Sequence, residues 1–384
     1  MQPGRTQAEA LFQERMARIK KAVALERPDR VPVVLEYAGF AARVTGTPMP
    51  EFLLDLGRSV EVMIQAYRKV TEGLEADGVN YGRFSPFALS YLWLSKVKLP
   101  GLHLPQTASY QVVEQELMSR EDYDRILQEG WPRFLEAFMR ERVLEDVDPR
   151  FLPGNQRPVD VVGKWAALGV PVLRSYTVAP PFEFLSGARS LECFFMDLLE
   201  IPQKVEQVME AMMGHMTELP CRQSLKEGYP AIWVGGWRGA PSLLSPQMWE
   251  RFVWRYFRKL VQHVIEAGLI PLLHLDGCWD RELTRFRELP KAKLIMALDG
   301  HTDIFRAKEL LGDHLCLMGD VPASMLAFDS PETVYSYCSR LVREVGPEGF
   351  ILHSGCDIPE NAKPENVRAM LAASVVPGTK SYGI

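Results

Sequence analysis

The sequence predicts an α/β protein, a (β/α)8 TIM barrel with an extra N-terminal helix and a long insertion between its second and third strands. Three observations lead there. Short apolar runs recur along the chain with helical stretches between them. Most runs are continuously apolar rather than alternating, as strands buried on both faces of a parallel sheet are. Eight such units follow one another with no Pro/Gly/Ser-rich linker, so residues 1–384 read as one domain. An open doubly wound sheet is the competing arrangement, but eight sequential units fit the closed barrel better.

The first helix carries Phe12, Met16, Ile19 and Val23 on one face and is expected to run to Arg27-Pro28, where proline stops it. The strands are expected at Val31 to Leu35, around Gly78 to Tyr81, and at Pro171 to Tyr176, Ala231 to Val234 and Leu269 to His274. Leu294 to Leu298, His314 to Met318 and Phe350 to His353 complete the set. Amphipathic helices are expected at Ser245 to Ala267 and Ser330 to Val345. Each opens with a serine cap followed by proline (Pro246, Pro331) at the first helical position.

Residues 83–170 are too long for an ordinary barrel connection and must carry structure of their own. Lys96 to Leu104 reads as a hairpin around Pro100-Gly101, and Ser119 to Arg140 as a helix. An excursion on the catalytic face of a barrel forms a lid or docking surface, or simply adds a helical layer.

Composition narrows the function classes. The net charge is −5 and the basic residues are dispersed, so no stripe stands ready to neutralise a phosphate backbone and nucleic acid is not an expected partner. No apolar run reaches the length of a membrane span, and the start lacks the apolar core of a secretory signal, so a cytoplasmic location is expected. The six cysteines lack CxxC spacing and read as reduced thiols.

In a barrel, chemistry sits on the residues that close each strand at its C-terminal end. These are Glu36 and Tyr37, Asn80 and Tyr81, Tyr176, Gly235-Gly236-Trp237, His274 to Cys278, Asp299-Gly300-His301, Gly319-Asp320 and His353 to Cys356. The set gathers histidines, cysteines and carboxylates at one rim, and a metal explains such a gathering economically. Zn2+ accepts imidazole, thiolate and carboxylate together, and a catalytic site leaves its fourth position open. His274 and Asp276 lie two apart, so strand alternation points them the same way. With Cys356 they form a candidate ligand set. The bland alternative has His274 bonding a carbonyl, Asp276 capping the next helix and Cys356 packing. Cys278 could also stand in for Asp276.

At these residues the chain resembles the uroporphyrinogen-decarboxylase-like superfamily. The resemblance is carried by Met318-Gly319-Asp320-Val321-Pro322, Ser330-Pro331-Glu332, Tyr337-Cys338, the stretch Ile351 to Pro359 with its Gly-Cys-x-Ile-Pro spacing, and Pro364-Glu365-Asn366. Ser245-Pro246, the His274 segment and Asp29-Arg30-Val31-Pro32 extend it over nearly the whole chain.

The closest similarity is to the cobalamin-dependent methyltransferase branch. That resemblance implies a barrel, a zinc site of pattern His-x-Cys with a distant second cysteine, and methyl transfer between a small methoxy, methylamine or thiol compound and a corrinoid on a separate protein. The matching positions are His274, Asp276 and Cys356. Asp276 departs from the pattern, and a carboxylate there makes the ion a harder Lewis acid, suited to an ether, alcohol or amine. Glu36, Tyr81, Tyr176 and Glu183 are candidates for orienting the substrate. True uroporphyrinogen decarboxylases resemble one another in an arginine-rich segment after the first strand. Here Tyr37 to Arg43 offers only Arg43, so haem-pathway decarboxylation is the alternative. A non-catalytic metal- or tetrapyrrole-binding barrel subunit is a third reading.

Overall fold

The computed structural model describes residues 7–374. The signal-peptide reading rests partly on residues 1–6, which lie outside them. The strands are β1 (Val34–Leu35), β2 (Gly78–Val79), β3 (Val97–Lys98), β4 (Gln111–Val112), β5 (Thr177–Val178), β6 (Ala231–Gly236), β7 (Ile270–Leu275), β8 (Ile295–Leu298), β9 (Cys316–Val321) and β10 (Phe350–Ser354). Six of them form one parallel sheet in the order β10-β9-β8-β7-β6-β5, and β1 pairs with β2.

Isolated parallel bridges join the two pieces. Val33 pairs with Leu352 and Tyr37 with Ile358, linking β1 to β10, while Val79 pairs with Val172 on the chain that leads into β5. With β5 bonded to β6, the ring of eight strands closes. The third strand is bent: it meets β2 through Val172 and β6 through Thr177 and Val178, so its regular part begins later than Pro171 to Tyr176 predicts.

Every residue of β6, β8, β9 and β10 is buried. That accounts for their continuously apolar sequences: one face packs inside the barrel and the other under the helices. Each large aliphatic side chain so buried contributes about 1.5–3 kcal/mol.

The N-terminal helix (Gln7–Val23) ends before Arg27-Pro28, because Leu25 turns into the left-handed region at φ 60°. It is pinned across the N-terminal end of the barrel by Arg18, which reaches Asp77 at 2.5 Å and Asp29 at 2.6 Å. Arg30 also pairs with Asp77 at 2.7 Å, and the Val33 N–H donates to the same carboxylate at 2.8 Å. The caps are as read. Ser245 accepts from the Met248 N–H, and the helix it starts runs from Pro246 to Glu266 with a π-turn at Glu250–Trp254. Ser330 accepts from Thr333 at the head of Pro331–Glu344.

The insertion differs from its expected form in two places. The return strand of the hairpin is β4, with Val97 opposite Val112, while Pro100 to Leu104 is only a tight turn. Pro105 follows that turn and has no N–H to donate, so pairing cannot continue there. The segment Ser119 to Arg140 is two helices, Glu121–Glu129 and Trp131–Phe138, broken where Gly130 takes φ 83°. A short helix, Phe87–Trp93, lies over the barrel mouth. Among the described residues no helix is long and apolar enough to cross a membrane.

Candidate active site

His274 closes β7 and Cys356 follows β10, two strands separated around the ring by β8 and β9. Their side chains and that of Asp276 converge. One ligand atom from each lies within 4.8 Å of the others, the one such grouping among the described residues. His274 Nε2 stands 3.1 Å from Asp276 Oδ1. The imidazole is buried and stacks on the Trp233 ring at 5.3 Å and 28°, which fixes its plane.

The loop after β7 is shaped to present Asp276. Its N–H donates to the Gly236 carbonyl at 2.9 Å, and its own carbonyl accepts from the Trp279 indole at 2.9 Å. Gly277 then turns at φ 80° and donates its N–H to Asp299 at 2.8 Å. The 3-10 run Asp280–Glu288 that follows has no side-chain cap, so Asp276 is not spent on a helix N-terminus. Cys278 is exposed and its thiol faces Asp280 at 3.4 Å, away from the group. Cys356 is set by Gly355, where any Cβ would fall 2.6 Å from the Asp299 carbonyl oxygen.

The electrostatics favour a cation at this point. Burial alone would lower the His274 pKa, but the Asp276 carboxylate and the Cys356 thiol override it and hold the imidazole well above its usual range. Protein packed behind the Cys356 thiol pushes its pKa up, against the pull of His274. Imidazole nitrogen, carboxylate oxygen and thiolate sulfur are three donors of the kind that hold a metal ion with one position left open. Here the open side faces a chamber of about 320 Å³ in the barrel mouth.

Deeper in the chamber lies a buried polar cluster. The Glu36 carboxylate accepts from Arg174 Nη2 at 2.7 Å and from the Asn80 amide at 2.5 Å, and His353 Nε2 stands 3.1 Å away. Burial pushes the Glu36 pKa up, yet Arg174 and His353 overcome it and hold the carboxyl well below its ordinary range. The Arg174 guanidinium sits over the Tyr81 ring at 4.9 Å and the Trp233 ring at 5.6 Å. The Tyr81 hydroxyl donates to Asp357, whose carboxyl is pushed up to about 7 by burial and by the Glu36 charge.

Tyr176 and Glu183 do not line the chamber. The Tyr176 hydroxyl bonds Glu227 on the outer side of the barrel. The Glu183 carboxylate accepts three backbone N–H groups, from Trp237 at 3.0 Å and from Arg238 and Gly239 at 2.9 Å, and burial pushes its pKa up to about 7. It shapes the loop that carries Trp237 rather than facing a ligand. Arg174, Arg83, Tyr110 and Trp93 do line the chamber and escaped the sequence reading. Arg174 had a signal, a lone cation at the end of the apolar run Val170 to Leu173. A larger groove of about 960 Å³ lies on the rim between the insertion and residues 215–222. Its histidine and glutamates, His215 and Glu218 among them, form no cluster of three possible metal ligands among the described residues, so volume alone does not locate the chemistry.

A closed parallel barrel with a histidine, a carboxylate and a thiol gathered at its C-terminal rim is the class that fold and site define. The family model for uroporphyrinogen decarboxylase (URO-D) matches residues 178–375, more than half of the chain, and this chain belongs to that family. Uroporphyrinogen decarboxylases from Trichodesmium erythraeum and Dichelobacter nodosus are 26% identical over 168 residues and 27% over 173. These alignments cover 42% and 43% of this chain, and 45% and 48% of those proteins. The chain thus spans about half the length of the curated relatives it matches. A solved methyltransferase from Methanosarcina mazei superposes with a TM-score of 0.63 at 17% identity, covering 94% of this chain and 98% of that one. At that identity the likeness establishes the shared fold.

Proposed function

We propose that this chain is a zinc-dependent methyltransferase that moves a methyl group from a small methoxy or methylamine compound to a corrinoid carried by a partner protein. The observation that carries the reading is the convergence of His274, Asp276 and Cys356 in the wall of the mouth chamber. Zinc held by these three supplies Lewis acidity at a substrate heteroatom. The chain's own residues do the rest. Trp233 holds the imidazole plane, Arg174 and Glu36 fix a neutral charge pair beside the substrate, and the helix Phe87–Trp93 shields the chamber from water. In the transfer the carbon–heteroatom bond breaks, the methyl carbon bonds to cobalt(I), and the electron pair stays on the heteroatom. Asp276 in place of a thiolate favours this donor direction over thiol activation.

Two features weigh against uroporphyrinogen as substrate. The chamber is near the lower end of ligand-pocket volumes, and its cations are few. Arg174 is matched by Glu36, and Arg43 on the rim is engaged by the Thr107 carbonyl at 2.8 Å and by Glu360 at 3.5 Å. A tetrapyrrole rich in carboxylates needs several free guanidinium partners.

The test incubates the zinc-loaded protein with cob(I)alamin and a series of methoxy and methylamine donors, following cobalt by visible absorbance. Methyl-cobalt formation that disappears in Cys356→Ser supports the proposal. Coproporphyrinogen formed from uroporphyrinogen III would contradict it. Bound zinc with no transfer to any donor would instead favour a binding subunit.

A further inference from the structure

Six aromatic rings line the chamber above the triad. Trp233 continues to Trp237 at 5.7 Å and on to Trp93 at 6.1 Å, while Tyr81 continues to Phe84 at 6.2 Å and on to Tyr110 at 5.4 Å. Methanol or methylamine would leave most of the 320 Å³ unfilled, since a cavity of about 150 Å³ already accepts benzene. One substituted ring fits the space, and aromatic walls orient a flat ring by stacking and edge contacts.

The charges decide what the ring carries. Aromatic walls with carboxylates nearby are also the signature of ammonium recognition. Here, however, the Arg174 guanidinium already occupies the Tyr81 and Trp233 faces. Its Nε donates to the Asn80 amide oxygen and its Nη2 to Glu36, which matches its charge, and its Nη1 has no acceptor among the described residues. Among the described residues Arg83, half-buried in the chamber wall, has neither a carboxylate ion-pair partner nor a hydrogen-bond acceptor, and the groups that feel its charge are the hydroxyls of Tyr176 and Tyr229. Of the two guanidinium groups lining the chamber, it is the one without a matched charge among the described residues. A half-buried guanidinium is satisfied best by a planar anion that takes two of its N–H groups.

We infer that the substrate is a single-ring aromatic methyl ether bearing a carboxylate, with the ether oxygen toward the triad, the ring among the six aromatic side chains, and the carboxylate on Arg83. The inference rests on the methyltransferase reading for the ether and on the chamber alone for the ring and the anion. The methyl–oxygen bond breaks, the carbon passes to the cobalt(I) of the corrinoid, the bonding pair stays on the phenolate oxygen, and the phenolate takes a proton from water on leaving.

Titration calorimetry on the zinc-loaded chain, with no corrinoid present, tests the ring and the anion separately. The ligands are 4-methoxybenzoate, methoxybenzene, methoxyacetate and benzyltrimethylammonium. The expected order puts 4-methoxybenzoate first by roughly tenfold or more, the worth of a charge-assisted hydrogen bond. Arg83→Gln should erase its advantage over methoxybenzene, and Arg83→Lys should keep part of it. Equal binding of methoxybenzene by the native chain, undiminished 4-methoxybenzoate binding in Arg83→Gln, tightest binding of the ammonium, or no binding of 4-methoxybenzoate would each overturn the inference. A chain that binds the methoxybenzoate as expected but transfers no methyl to cobalt counts for this inference and against the methyltransferase reading.

Discussion

Asp276 caps no helix and lies beside His274, so its removal should be felt first in metal content. Asp276→Ala is expected to lower bound zinc well below that of the native chain and Asp276→Cys to restore it, while the apo thermal midpoint of the alanine variant falls modestly, because the buried His274 imidazole loses the carboxylate that helps hold it charged. Metal analysis and calorimetry on the same samples check both. Glu36 behaves oppositely. Glu36→Gln leaves the Arg174 guanidinium buried without its anion, and should cost about 3–5 kcal/mol in urea unfolding. His274 and Cys356 could be picked out of the sequence, although far apart in it, because the strand-end rule needs only the strand positions. Which way a strand-end side chain points was not readable. The third strand bends between Arg174 and Thr177, so alternation along it fails, and Arg174 rather than Tyr176 turns inward. Nothing local shows that Glu183 is consumed by three backbone N–H groups.

At the scale of elements, the loop after β10 is a tight fit. A methyl group at Gly355 would meet the Asp299 backbone, which cannot move without dragging the loop after β8. Gly355→Ala should therefore displace Cys356, lowering both stability and zinc stoichiometry, whereas Gly154→Ala, with open space around its Cβ, should change neither. Thermal melts with metal analysis of the two variants make the comparison. Helix starts at Ser245 and Ser330 were readable because a cap and a proline act within one turn. The break at Gly130, the early stop at Leu25 and the distant return strand β4 were not, since each depends on what the segment packs against.

The whole molecule divides its labour between the two ends of the barrel. Arg18, Arg30, Asp29 and Asp77 tie the N-terminal helix to the closed end, and the triad sits at the open one. Asp29 is held at about 2 by its bond to Arg18, below its ordinary 3.8. A carboxyl lowered on folding adds stability above its unfolded pKa and loses it as pH falls through the folded one. Asp29→Asn should thus lower Tm modestly at neutral pH and flatten the fall in Tm between about pH 4 and pH 2, as a series of melts would show. The closed barrel was readable from eight apolar runs, but the residues that close it were not, because the bridges that join β1 to β10 and β2 to the third strand span distant parts of the chain. Zinc K-edge absorption on the loaded protein tests the central claim most directly. The triad predicts one sulfur at about 2.3 Å with nitrogen and oxygen at about 2.0–2.2 Å, the sulfur vanishing in Cys356→Ser. A shell of nitrogen and oxygen alone in the native chain, or no bound zinc after loading, would contradict it.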